Sequence, residues 1–436
     1  MKVFYNLLVN TVISSVTNFT VWFAIIFFGY IQTQSVIVTS VMSGIYLVAT
    51  AATGFWFGEL VDNNKKKKLL VVSGIFSLIM YLICFIIYIT VGADAFKDVS
   101  NPILWVFIIF ILLGVIAGNI RGIILPVLIP VLVDKDNIDK ANGLAGTASG
   151  VSFLIVSVIS GLLVGFGGMY WVLILAIMLI LASTLHLHFI KIPEKEIIHT
   201  QEEPRKINIR ATLKIILGVP GLMSLIFFTT INNFLGGVFM SLMDAYGLSL
   251  VSVEVWGIIW GVLSCAFIIG GLMIAKKGLG RNPLKVIFMV NILIWIISSL
   301  FTIQHSILLL MVGMFIYLMF GPFIEAAEHT VIQKVVPQDK LGRVFGFAQS
   351  VEQAASPITS FAVGPITQLI FIPFMTTGEG VRLIGSWYGT GSARGIALVF
   401  TLTGIIGLVI TLIAYRSKFY KQLSKRYLQI NTNIEN

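Results

Sequence analysis

A few ionisable side chains sit inside long apolar runs, and they are the residues best suited to chemistry. Arg121, Glu325, Glu328 and Glu352 each lie in a stretch long enough to cross a bilayer. A charge at the bilayer centre costs about 2.5–3.5 kcal/mol on insertion scales, so such groups are usually kept because they are used. Glu325, Glu328 and His329 are spaced i, i+3 and i+4 and share one helix face. Two carboxyls that close resist double ionisation, which favours a proton on one of them. Such a group can take up a proton on one side of a membrane and release it on the other. Glu325 and Glu328 are therefore the candidate proton carriers, with Arg121 responding electrostatically. The plainer alternative is a static ion pair within the membrane. Glu352 lies about eight residues into its run and faces either a cavity or the membrane surface.

Other chemistries find no support in the residues. There is no Walker A run, no CxxC and no HExxH. His186 and His188 are two apart, hence on different helix faces, and read as interfacial histidines. Cys84 and Cys265 lie in apolar runs and read as packing thiols. The expectation is a protein that is not an enzyme and has no cofactor or metal. With no ATP site, an ion gradient is the plausible source of energy.

The elements that position these residues follow from composition. The chain has 436 residues, 57 % apolar and 11 % charged, with a mean hydropathy of +0.98. Soluble domains carry about 25 % charged residues. An ordinary soluble enzyme, a disordered chain and a disulfide scaffold are all excluded. The expected fold is all-α, with twelve membrane helices over residues 7–30, 35–57, 69–92, 103–132, 142–165, 168–190, 220–245, 252–275, 284–303, 307–335, 344–373 and 394–415. The first run is too long for a signal peptide and reads as a span.

The formal charge of +10 would suggest nucleic acid in a soluble chain. Here the bases mark loops instead. With both termini in the cytoplasm, inside segments hold 25 Lys and Arg and outside segments hold three, and the one that remains, Arg121, lies inside a span. That asymmetry follows the positive-inside rule.

The chain also repeats. A shift of 203 residues lays Gly118 on Gly321, Asp136 on Asp339, Gly143 on Gly346, Ala145 on Ala348, Ser157 on Ser360 and Gly161 on Gly364. A shift of 215 lays Asn18–Phe19 on Asn233–Phe234. Two parallel six-helix bundles are expected, over 1–190 and 220–415. They are joined by a cytoplasmic linker, 191–219, and followed by a cytoplasmic tail, 416–436. Part of the linker alternatively reads as an amphipathic helix on the membrane surface. Paired repeats with a site between them are a transporter architecture. Gly114, Gly118 and Gly122 form one small-residue ladder, and Gly257 and Gly261 another, suited to close helix packing.

Three stretches carry a family resemblance. They are GELVDNNKKKK (Gly58–Lys68), PVLIPVLVDKDNIDKANGLAG (Pro126–Gly146) and QKVVPQDKLGRVFGFAQS (Gln333–Ser350). The chain resembles the major facilitator superfamily over nearly its full length. Within it, the chain is similar to the bacterial drug efflux branch that includes macrolide exporters. In the first stretch Gly58, Leu60 and Asp62 match the superfamily loop pattern. Asn63 stands at its usual basic position and Lys65 at its usual glycine.

The resemblance implies that spans one, four, seven and ten line a central cavity. That would place Asn18, Arg121, Asn232, Asn233, Glu325 and Glu328 around one polar space. It also implies a cytoplasmic gate of Gly58 and Asp62, with the carboxylate near the start of span eleven, where Arg343 could join it. Phe19, Trp22, Phe234, Phe239, Met240 and Met243 would suit greasy cations or planar drugs, or else are packing and lipid-facing residues. The expected function is proton-coupled efflux of lipophilic or drug-like small molecules by alternating access, from a monomer in a bacterial cell membrane. A proton-coupled nutrient importer and a lipid flippase are the alternatives. The expected partners are substrate, protons and membrane lipid, and not nucleic acid.

Overall fold

The computed structural model describes residues 2–33, 36–193 and 209–435. The described residues are mostly helical and contain no strand. In chain order the helices are α1 (Lys2–Thr33), α2 (Val36–Asn63), α3 (Lys66–Val91), α4 (Pro102–Gly118), α5 (Arg121–Leu132), α6 (Ile138–Gly167), α7 (Met169–Phe189), α8 (Ile209–Gly218) and α9 (Leu222–Leu248). There follow α10 (Val253–Lys277), α11 (Pro283–Leu300), α12 (Ile307–Val335), α13 (Leu341–Ile366), α14 (Ile372–Thr376), α15 (Glu379–Leu383), α16 (Gly385–Tyr388), α17 (Ser392–Arg416) and α18 (Lys418–Glu435).

Eleven helical stretches are long and apolar enough to cross a membrane. The twelfth expected span, 142–165, is covered by α6. Helix starts have local causes. Asn101 and Asn282 cap α4 and α11 through their side-chain oxygens, each just before a proline at the first helical position. Ser306 caps α12 in the same way.

The fourth expected span differs from a plain helix. It is divided at Asn119–Ile120, where Gly122 N and Ile123 N donate three residues back, to Asn119 O and Ile120 O. The turn there is tightened to 3₁₀ geometry. The eleventh span continues through a π-helical segment, Thr367–Phe371, into α14. The loop expected beyond it holds the short helices α15 and α16.

Of the expected linker, residues 194–208 lie outside the described residues. Residues 209–218 form α8, with Thr212 and Ile216 buried and Ile209 and Leu217 exposed. The expected tail is the helix α18.

The chain forms two compact units. The first comprises residues 1–141, 148–212 and 337–350, and the second 142–147, 213–336 and 351–436. Residues 142–147 of α6 thus cluster with the second unit, and residues 341–350 of α13 with the first.

In the first unit α1 packs on α4 and α7, and α3 packs on the same two helices. The face of α1 that enters this core is polar: Asn10, Ser14, Thr17 and Thr20 are all buried. Asn10 Nδ2 donates to Ser183 O, and Ser14 and Ser183 pair through their hydroxyls. Without water, such groups must find partners within the bundle. Gly114 leaves room for the Tyr81 ring, because a Cβ there would sit 2.6 Å from Tyr81 Cε1.

In the second unit, α11 packs on α12 and α17, and α10 packs on α12. Trp295, Phe301, Phe400 and Phe239 fill its core, together with Met243. Phe239 and Met243, candidates for a drug pocket, are thus packing residues. The second glycine ladder also differs from expectation. A Cβ on Gly257 or Gly261 would meet nothing within 4 Å, so neither glycine is needed for close packing.

Candidate functional site

The acidic residues of α12 separate once the helix is built. Pro322 lies inside α12, where its ring removes one helical hydrogen bond. Beyond it Glu325 is exposed, Glu328 is only 7 % exposed and His329 is half-buried. The carboxyl that comes to Glu328 is that of Glu352 on α13, and not that of Glu325.

The two meet at Thr229 on α9. Thr229 Oγ1 lies 3.1 Å from Glu328 Oε1 and 2.9 Å from Glu352 Oε1. It also lies 3.0 Å from Ile226 O and 3.2 Å from Leu225 O. Four oxygens surround one hydroxyl that carries one hydrogen. The two backbone carbonyls can only accept. A further hydrogen must therefore come from a carboxyl for more than one of these contacts to be a hydrogen bond.

The neighbouring asparagines divide. Asn232 Oδ1 accepts from Trp295 Nε1 at 3.0 Å, and its Nδ2 donates to Phe228 O. Its amide is thus taken up by a bond from α11 and by its own helix. Asn233 is exposed, as are Phe234 and, at 80 %, Met240.

The residues expected to form a gate come together within the first unit. Asp62, at the end of α2, accepts from Gly342 N at 2.7 Å and from Arg343 N at 2.9 Å. These are amides of the first turn of α13, where unpaired N–H groups and the helix dipole favour a carboxylate. Arg343 Nε stands 3.4 Å from Asp62 Oδ2, and the Asp62 side chain is 2 % exposed. Gly58 makes the approach possible: a Cβ there would lie 2.5 Å from Gly342 O and 3.1 Å from Gly346 Cα. The structure therefore brings Gly58, Asp62 and Arg343 together.

A second polar contact, which the sequence reading missed, joins α6 to α12. Asn142 Nδ2 donates to Gln333 Oε1 at 2.7 Å and to Thr330 Oγ1 at 2.9 Å, and all three residues are buried. One residue on, Gly143 packs against Ile274 and the Ala275 backbone. The repeat pairing of Gly143 with Gly346 was the available signal, since both glycines sit at close helix crossings.

Asn18 and Arg121 occupy different places in the first unit. Asn18 Nδ2 donates to Val115 O at 3.0 Å and to Asn119 Oδ1 at 3.1 Å. Asn119 Nδ2 in turn reaches Tyr46 OH and Thr50 Oγ1, both at 3.3 Å. Tyr46 stacks on Trp22 with centroids 4.0 Å apart. A polar and aromatic node thus forms at the α4–α5 division, and Asn119, Tyr46 and Thr50 were not foreseen. Arg121 is 7 % exposed and donates through Nη1 to Asn10 Oδ1 at 2.8 Å. Its Nη2 has no hydrogen-bond partner among the described residues, and no carboxylate pairs with it there.

Among the described residues, no three His, Cys, Asp or Glu side chains are grouped to hold a metal ion.

Comparison with known proteins accords with this geometry. No curated protein sequence matches the chain. Among solved structures, a bacterial homologue of the iron transporter ferroportin, in its outward-facing state, superposes with a TM-score of 0.69 at 14 % identity. The match covers 96 % of this chain and 100 % of that one. The human organic anion transporter MFSD10 (TETRAN) gives 0.68 at 9 % identity, covering 94 % and 99 %. The proton:xylose symporter XylE gives 0.64 at 13 % identity, covering 98 % and 99 %. At these identities the likeness establishes the fold alone. The sequence pattern of the Major Facilitator Superfamily matches residues 7–360, and with its helices this makes the chain a multi-pass membrane transporter, not an enzyme, that belongs to the Major Facilitator Superfamily.

Proposed function

We propose that this transporter is a proton-coupled antiporter that exports lipophilic or drug-like small molecules by alternating access. The observation that carries the coupling is the meeting of Glu328 and Glu352 on the Thr229 hydroxyl. Two carboxyls at that separation cannot both stay ionised at low cost. A proton is held while the pair is enclosed and is released when water or substrate separates its members. Glu325, one turn earlier on α12 and exposed, is the relay between the pair and solvent.

Asp62 on the α13 helix start is the gate contact that must break in each cycle, with Gly58 and Arg343 as its setting. Asn18 and Arg121 in the first unit and Asn233 in the second are the polar residues proposed to meet substrate, while Asn232, whose amide is taken up by Trp295 and Phe228, is not among them. The half-exposed Phe19 and Phe234 and the exposed Met240 suit apolar cargo better than a sugar.

The membrane in this reading is a bacterial cell membrane, and the Lys and Arg asymmetry supports a cytoplasmic side for both termini. The working unit is a monomer, and nothing in its chemistry calls for nucleic acid. Membrane lipid is its solvent.

The test uses inside-out vesicles with an imposed pH gradient, acid inside, and a panel of fluorescent lipophilic cations. Accumulation that a protonophore abolishes supports export. Substrate uptake that follows protons inward in right-side-out vesicles would identify the nutrient importer instead. Loss of lipid asymmetry on gene deletion, with no cation accumulated, would identify a flippase.

A further inference from the structure

Helix α18 begins one residue after α17, with only Ser417 between them. α17 is long and apolar enough to span the membrane. α18 therefore starts at a membrane surface, whichever way the chain is inserted. Its 18 residues extend about 27 Å at 1.5 Å per residue.

One side of α18 is fastened to the second unit. Leu423, Ser424 and Tyr427 are buried. Asn282 Nδ2 donates to Ser424 Oγ at 2.8 Å, tying the helix to the start of α11. Lys334 Nζ lies 5.5 Å from the centroid of the Tyr427 ring, tying it to the end of α12. Gly221, just before α9, has φ +86°, and a Cβ there would sit 2.5 Å from Phe419 O. A side chain at 221 would be strained and would also push α18 away.

The other side is basic. Lys418, Lys421 and Lys425 are exposed and fall on one helix face by their spacing. Lys276, Lys277, Arg281 and Lys285 are exposed at the adjoining end of α10 and start of α11. Residues 276–285 and 416–434 contain nine Lys or Arg and no Asp or Glu. Among the described residues none of the nine makes an ion pair. Orientation in the membrane needs positive charge in a loop, but it does not need a helix docked by three separate contacts that holds those charges in a row.

We propose that the exposed face of α18 is a docking surface for anionic phospholipid headgroups. Its charge complements theirs, it lies at their depth, and lysine stems can reach along the interface to bring the ammonium groups to phosphate. Headgroup binding would also hold α18 against α9 and α12, the helices that carry Thr229 and Glu328. The lipid composition of the membrane then becomes an input to the transporter. This inference rests on α17 spanning the membrane, and not on the direction or the cargo of transport.

The test uses the full chain in a neutral detergent, titrated with a fluorescently labelled phosphatidylglycerol and read by anisotropy. Wild type should bind the probe saturably. Unlabelled phosphatidylglycerol should displace it, and phosphatidylcholine should not. Lys97→Gln, an exposed lysine far along the chain from α18, should bind like wild type. The triple variant Lys418→Gln/Lys421→Gln/Lys425→Gln should bind at least ten-fold more weakly, since each basic residue near an anionic surface contributes about five-fold. The matching triple Lys→Arg variant should retain binding, which separates charge from any loss of folding. Equal binding by wild type and the Gln triple variant would overturn the proposal and leave the face to an acidic soluble partner. Displacement of the probe by inorganic phosphate alone would overturn it too, by showing a free-anion site.

Discussion

Glu328 and Glu352 come from different helices and meet on one hydroxyl, that of Thr229, at 3.1 and 2.9 Å. The arrangement cannot be satisfied by the threonine hydrogen alone, because two backbone carbonyls crowd the same oxygen. A proton shared by the acids completes it. This is the observation on which the proposed proton coupling rests, within the second unit.

Thr229 should therefore matter as a hydroxyl and not as a shape. Thr229→Val keeps the volume but removes the hydroxyl between buried Glu328 and half-buried Glu352, an unmet group costing about 1–3 kcal/mol. Gradient-driven transport should fall about ten-fold or more, whereas Thr229→Ser should stay close to wild type. Initial rates of dye accumulation in inside-out vesicles check both.

The Asp62 contact predicts a separation of transport from folding. Asp62→Asn keeps the size of the side chain but loses the charge that the helix start and Arg343 favour, and one acceptor for the two amides. Charge-assisted hydrogen bonds are worth roughly twice neutral ones. Transport should fall at least ten-fold while the amount of protein in the membrane is unchanged. Gly58→Ala should give the same phenotype, because its methyl group would enter the space of Gly342 O. Quantitative blotting of membrane fractions beside the transport assay would show it.

The Asn142–Gln333 pair predicts energetic coupling. The two amides bond each other in a buried setting, so truncating either one removes those bonds from the other. Asn142→Ala and Gln333→Ala should each lower thermal stability, and the double variant should lose less than the sum. A double-mutant cycle should return a coupling of about 0.5–3 kcal/mol. Melting temperatures in detergent provide the comparison.

Arg394 predicts a purely structural phenotype. It is 2 % exposed. Its guanidinium donates to Tyr388 O, Thr302 O and Ile303 O and lies 4.2 Å from the Tyr388 ring centroid. Arg394→Met fills similar volume but leaves three carbonyls without that donor. The melting temperature should drop by several degrees, with normal transport by the protein that remains folded at low temperature. A thermal shift assay paired with transport at reduced temperature tests this.

The spans were legible because each needs only a long apolar run, and the contact of Asp62 and Gly58 with the start of α13 because Gly58, Leu60 and Asp62 keep the spacing of the family. Helix irregularities were not. The division at Asn119–Ile120 depends on side chains from α1 and α2 that take up its polar groups. The acid pair was half legible. Spacing on α12 offered Glu325 as the partner of Glu328, because periodicity registers neighbours on one helix only. The actual neighbour, Glu352, meets Glu328 at the Thr229 hydroxyl of a third helix, which no local pattern encodes. Arg121 was legible as a buried cation, but its partner Asn10 carries no charge and gave no signal.

The most direct test of the coupling assignment separates accumulation from exchange. In Glu328→Gln and Glu352→Gln the pair can no longer gain and lose its proton, yet the path for cargo remains. Both variants in inside-out vesicles should lose accumulation driven by the pH gradient and keep exchange of internal labelled cargo for external unlabelled cargo at near wild-type rates. Accumulation at wild-type levels in both variants would contradict the account and return the acids of α12 and α13 to a structural role.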